Sequence, residues 1–180
     1  MLFWFDERNL LGDKVLLIGV ISDTHDNLAN VEKVVELFNE AKVELVLHAG
    51  DYVSPFVIPK FKLLNCRLVG VFGNNDGDHA FLRQRFMESG NCEVHGRFAQ
   101  VTVDGFKIAL LHGDETELLN ALIASEYFDA VVHGHSHALA YRKNQKTIIL
   151  NPGELCGYLT GKPTYAILDT EAREAKIINL

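Results

Sequence analysis

The sequence is poor in cysteine, proline and positive charge, and it has no long apolar run. Only three of its 180 residues are cysteine: Cys66, Cys92 and Cys156. An odd, unpaired set argues against a disulfide framework and fits a reducing compartment. There are only four prolines and no repeat, low-complexity tract or linker, so one domain is expected. Seventeen Lys and Arg stand against 24 Asp and Glu, a net charge of −7. That argues against a surface built for stable nucleic-acid binding, where affinity comes from cations neutralising phosphates. No apolar stretch is long enough to span a bilayer. The opening Leu2-Phe3-Trp4-Phe5 is apolar, but Asp6, Glu7 and Arg8 follow at once, too short and too acidic a run for a signal peptide. The cytoplasm is the expected location.

What is present is ample material for a core, at 48% hydrophobic residues. Val15–Ile21 is a continuous apolar run, the mark of a central strand covered on both faces. Asn27 can cap a helix whose apolar positions Leu28, Val31, Val34, Val35 and Phe38 follow helical spacing. A strand at 45–47, a helix over 55–64, a strand at 67–72 and a helix over 79–89 continue the alternation, which predicts right-handed βαβ units and a largely parallel sheet. The second half reads as paired short strands: 98–103 with 106–111 about Asp104-Gly105, 139–142 with 146–150, and 164–168 with 175–178. A helix around 115–124 and a strand at 130–133 interrupt them. Two packed sheets flanked by helices accommodate the whole. The first 13 residues have no place in this scheme and are read as an extension; its apolar run would be buried on its own subunit or across a homodimer contact.

Chemistry is concentrated at the strand exits. The first strand runs into Asp23-Thr24-His25, the second into Gly50-Asp51, and the third into Gly73-Asn74-Asn75-Asp76. Later strands end at His112-Gly113 and at His133-Gly134-His135-Ser136-His137. Ligands gather beyond the carboxyl ends of strands in open α/β sheets. In extended backbone, residues i and i+2 share a side, so Asp23 and His25 can converge, as can His135 and His137.

Carboxylate, amide and imidazole donors without thiolate favour Mn²⁺ or Fe²⁺, ahead of Zn²⁺ and Ni²⁺. Seven such donors are too many for one ion and suit two divalent ions sharing a carboxylate. A pair roughly 3.5–4 Å apart fits phosphoryl chemistry, polarising phosphoryl oxygens and deprotonating a bridging water. Two ions bring about +4; two carboxylates and one hydroxide leave about +1 to receive an anionic ester.

The ordered set Asp23-x-His25, Gly50-Asp51, Gly73-Asn74-x-Asp76, His112 and Gly134-His135-x-His137 resembles the signature of the calcineurin-like metallophosphoesterases. The short length and Asn151-Pro152-Gly153 resemble the small YfcE-type phosphodiesterase branch. The resemblance covers residues 15–180 and implies a four-layer α/β/β/α sandwich of two mixed sheets flanked by helices. It implies one ion on Asp23, His25, Asp51 and His137, and another on Asp51, Asn74, His112 and His135, with Asp51 bridging. It also implies hydrolysis of a small phosphodiester by a metal-bridging hydroxide, with Asn74 orienting the phosphate. Phosphomonoesters or pyrophosphates are the second substrate class. The rival reading is a protein-binding scaffold of the same fold, like the endosomal sorting-coat subunit of this superfamily.

Three departures bear on mechanism. Many relatives carry His at position 75, paired with the following acid, to protonate the leaving group; Asn75 cannot deliver a proton near neutral pH. Asp76 thereby loses its usual partner, and with Asn75, Gly77 and Asp78 it equally suits a turn and N-cap. Asp114 stands where relatives place His, and Glu154 where Ser is common. His133 reads as packed or supporting, and Cys156 as a buried thiol.

Overall fold

Leu17–Ile21 forms strand β1, with Ile18, Val20 and Ile21 wholly buried. The computed structural model describes residues 16–180, so the expected extension at residues 1–13 lies outside the described residues. Asn27 caps α1 (Leu28–Ala41) by accepting the Asn30 N–H, and the predicted stripe Val31, Val34, Val35 and Phe38 is the buried face. Next come β2 (Leu45–His48), a 3₁₀ turn (Pro55–Val57) leading into the single-turn α2 (Ile58–Phe61), β3 (Arg67–Gly70), α3 (His79–Ser89) and β4 (Cys92–Val94).

The helix expected over 55–64 is thus cut to one turn of each kind. Pro59 lacks an N–H and its ring crowds the preceding turn, so it is tolerated only in the first turn of a new helix. β4 was not expected: three residues opening on a cysteine give no readable period.

β5 (Phe98–Val103) and β6 (Phe106–Leu111) form the predicted hairpin, with Asp104 and Gly105 both at positive φ as its tight turn requires. α4 (Thr116–Ser125), β7 (Ala130–Val132), β8 (Ala140–Asn144), β9 (Thr147–Asn151), β10 (Thr164–Asp169) and β11 (Glu174–Asn179) complete the chain.

One sheet has the order β11-β10-β1-β2-β3-β4 and the other β5-β6-β7-β9-β8. β1 to β4 are parallel, as are β6, β7 and β9, while the remaining pairs are antiparallel. The sheets face each other across Ile18, Val20, Leu47, Ile108, Leu110 and Leu150. The first three helices cover the outer face of the first sheet over Phe38, Phe61, Leu68 and Phe86. α4 covers the second through Leu119, Leu122 and Ile123 against Ala109 and Val131. Each large side chain taken from water contributes roughly 1.5–3 kcal/mol, which makes this central seam the rigid floor of the molecule. The four-layer α/β/β/α sandwich is therefore observed. No helix among the described residues is long and apolar enough to cross a membrane.

Candidate metal centre

Both sheets send their strand ends to one rim. β1, β2 and β3 of the first sheet lead to Asp23 and His25, Asp51, and Asn74 to Asp76; β6 and β7 of the second lead to His112, His135 and His137. Backbone bonds lock the exits together: the Asp23 N–H donates to Gly50 O, that of His25 to Asp51 O, and that of Gly134 to His112 O.

Convergence is achieved by a different route from the expected extended backbone. Asp23, His25, Asp51, His135 and His137 have φ of 52°, 40°, 62°, 66° and 57°, all left-handed. A non-glycine residue there costs on the order of 1 kcal/mol or more, a strain that clusters at functional sites. Two glycines admit the close approach. A Cβ on Gly73 would lie 2.1 Å from Asp51 Oδ1, and one on Gly134 would lie 1.8 Å from Ser22 Oγ and 2.7 Å from Asp23 Oδ2.

The donors fall into two groups that meet at Asp51. In the first, His25 Nε2 is 3.9 Å from Asp23 Oδ1 and 3.5 Å from Asp51 Oδ2, and His137 Nε2 is 3.5 Å from Asp23 Oδ1. Asp23 Oδ1 and His25 Nε2 are buried without a hydrogen-bond partner. In the second, His112 Nε2 is 3.4 Å from Asp51 Oδ2 and 2.9 Å from Asn74 Oδ1, which also lies 2.9 Å from His135 Nδ1. All seven residues expected as ligands are therefore at one place.

The electrostatics are those of a cation site. Burial raises the Asp23 carboxyl above its ordinary range, against the pull of the His112 and His137 imidazoles. Burial pushes Asp51 the same way, but His112 and the N–H donors of Asn75 outweigh it and hold the carboxyl well below the usual range. His112 is drawn down by burial and up, more strongly, by Asp51, Asp23 and the Ala49 carbonyl. Its Nδ1 meets Ala49 O at 2.7 Å while its Nε2 faces two further acceptors. That crowding calls for positive charge at Nε2, which a proton or a metal cation can supply. Buried unpartnered atoms and a carboxylate–imidazole–amide donor set both fit divalent ions.

The other predicted residues separate. Asn75 is exposed and bonds Asp51 through both of its nitrogens. Asp76 lies beneath the rim, its oxygens accepting the N–H groups of Asp51, Tyr52, Val53 and Gly73, while Asp78 caps α3. Asp114 is paired to Arg97. His133 is half-buried, and its imidazole is pushed down by burial.

Two residues carry more than their sequence positions suggested. Asn151 Nδ2 donates to Gly134 O at 2.9 Å and to Ser136 Oγ at 3.1 Å, fixing the histidine loop. Glu154, wholly buried, accepts a 2.6 Å bond from His137 Nδ1. The available signal was an acid inside the otherwise apolar run after Asn151. With Asp76 it doubles the two carboxylates counted from sequence, although each is compensated by backbone N–H donors.

A four-layer sandwich with such a rim between its sheets has the build of a metallophosphoesterase. The chain belongs to the calcineurin-like phosphoesterase superfamily, whose domain profile matches residues 16–173. It is 41% identical over 163 residues to a phosphodiesterase of Methanocaldococcus jannaschii, covering 91% of this chain and 98% of that one. The solved structure of an archaeal phosphodiesterase superposes with a TM-score of 0.87 at 40% identity, covering 92% of this chain and all of that one. Two distant structures share the fold alone. The E. coli phosphoesterase YfcE has a TM-score of 0.63 at 16% identity, with 91% and 98% covered. Zinc-complexed Vps29 from Entamoeba histolytica has a TM-score of 0.67 at 19% identity, with 92% and 98% covered.

Proposed function

We propose that the chain is a phosphodiesterase acting on a small phosphodiester through two divalent ions, Mn²⁺ foremost, that share Asp51. The carrying observation is the facing pair of buried, unpartnered atoms, Asp23 Oδ1 and His25 Nε2, with Asp51 Oδ2 and His137 Nε2 beside them. The phosphodiesterase at 41% identity supports the substrate class. Asp23, His25, Asp51 and His137 would hold one ion, and Asp51, Asn74, His112 and His135 the other. When bound, such a pair supplies positive charge at phosphoryl oxygens and lowers the pKa of water toward neutrality.

The protein's own part is orientation. His112 is set by the Ala49 carbonyl, His137 by Glu154, and Asp51 by Asn75. Asp76 holds the two loops that carry Asp51 and Asn74 in register. Asn75 offers hydrogen bonds and no titratable proton, so diesters with acidic leaving groups are favoured. Residues 14–180 are taken as the catalytic domain. Seven donors converging on one rim support an enzyme over a protein-binding scaffold of the same fold.

The test is Mn²⁺ reconstitution followed by elemental analysis and a substrate panel. Two ions per chain and faster cleavage of bis(p-nitrophenyl) phosphate than of p-nitrophenyl phosphate or pyrophosphate are expected. Saturation at one ion would overturn the paired centre. A fully loaded protein that spares the diester would overturn the substrate class.

A further inference from the structure

We propose that Glu154 is a positioning residue for the ion shared by Asp23, His25, Asp51 and His137: it fixes the proton of His137 on Nδ1 and aims Nε2 into the site. The inference rests on the two-ion reading above.

Glu154 follows β9 and is held at both ends. Next to it, Leu155 N–H donates to Ser22 O and Cys156 N–H to Asp23 O, so its backbone is tied to the exit of β1. Its carboxylate is wholly buried. Oε1 accepts from Leu159 N at 3.0 Å, Thr160 N at 2.5 Å and Thr160 Oγ1 at 2.7 Å. Oε2 accepts from His137 Nδ1 at 2.6 Å and from Cys156 Sγ at 3.2 Å. A buried carboxylate is costly unless its lone pairs are all used, and here they are. Anchoring the 157–161 turn alone needs no charge, since a neutral acceptor would serve the same N–H groups.

The bond to His137 is the one that reaches the site. A carboxylate only accepts, so Nδ1 must carry the hydrogen and the Nε2 lone pair is left free. That Nε2 stands 3.5 Å from Asp23 Oδ1, and the ring stacks on His25 at 5.2 Å between centroids. His112 has the same arrangement with a neutral partner, the Ala49 carbonyl. The Glu154 partner differs in bringing a full negative charge to the far side of the ring, which favours a cation at Nε2. Loss of such a support typically costs 10–100-fold in metal affinity.

Two measurements decide it. In metal-free wild type under mildly alkaline conditions, long-range ¹H–¹⁵N NMR should place the His137 proton on Nδ1. In calorimetric Mn²⁺ titrations, Glu154→Gln, folded by circular dichroism, should lose about 10–100-fold affinity in one of two binding steps. A His137 proton on Nε2, or wild-type affinities in both steps for Glu154→Gln, overturns the proposal. If Glu154→Gln does not fold, the wild-type proton position decides alone. A wild type saturating at one ion overturns the paired centre, and Glu154 then stands or falls on the proton position.

Discussion

Asn75 gives both of its nitrogens to Asp51: the backbone N–H reaches Oδ1 at 2.8 Å and Nδ2 reaches Oδ2 at 2.8 Å. Position 75 therefore steadies the proposed bridging carboxylate. An imidazole there would trade one of these bonds for a titratable proton. Asn75→His should speed cleavage of diesters with poor leaving groups by about 10²-fold, the lower end of general acid catalysis. Good leaving groups should gain little. Equal effects on both classes, with both ions still bound, would show that leaving-group protonation is not limiting.

Asp23 predicts a conflict between stability and function. Burial raises its carboxyl above the unfolded value of 3.8. A raised carboxyl makes the ionised form unfavourable in the fold, so the penalty is present above the folded pKa and gone below the unfolded one. In chelator at neutral pH, Asp23→Asn should melt higher than wild type, by about 2–4 °C per kcal/mol relieved. The gain should shrink as pH falls toward 4. With Mn²⁺ the order should reverse, because the variant loses the negative charge of a proposed ligand. A variant that melts lower than wild type in chelator at neutral pH contradicts this reading.

Asp76 is expected to act through the backbone. Asp76→Ala strands four N–H groups, at about 1–3 kcal/mol for each that stays buried and unpaired. Its melting point should drop sharply and its metal content with it. Asp76→Asn, which keeps one acceptor oxygen, should fall between. Wild-type melting and loading in the alanine variant would remove Asp76 from this role.

Gly134→Ala should drive Ser22 or Asp23 aside, since a Cβ would sit 1.8 Å from Ser22 Oγ. Fewer than two ions per chain is the expected readout. Adding Ser22→Gly should recover part of the loss, because neighbouring sites couple. No recovery in the double variant would place the damage elsewhere.

Most of the fold and the convergence of the seven proposed ligands on one rim was legible in the sequence, for a shared physical reason. Central strands buried on both faces read as continuous apolar runs, and polar residues at their ends stand out against them, as Asp23 does after Ile21 and Asp51 after Ala49. What escaped depends on tertiary contact. β4 takes its identity from pairing with β3, and α2 is shortened by Pro59. The left-handed backbone at five of the proposed ligands leaves no periodic trace. Glu154 gains meaning only once His137 is folded back against it.

The strand order carries a consequence for synthesis of the chain. β1 lies between β2 and β10, and residues 17–20 pair with 166–169 from the far end of the sequence. On a translating ribosome β1 can meet β2 early, yet its other edge, part of an apolar run, stays bare until nearly the whole protein has emerged. Bare apolar edges invite pairing with other chains. Contacts this distant in sequence also slow folding. Truncated or stalled chains that end after His137 but before Thr164 should therefore aggregate even though they carry every proposed ligand.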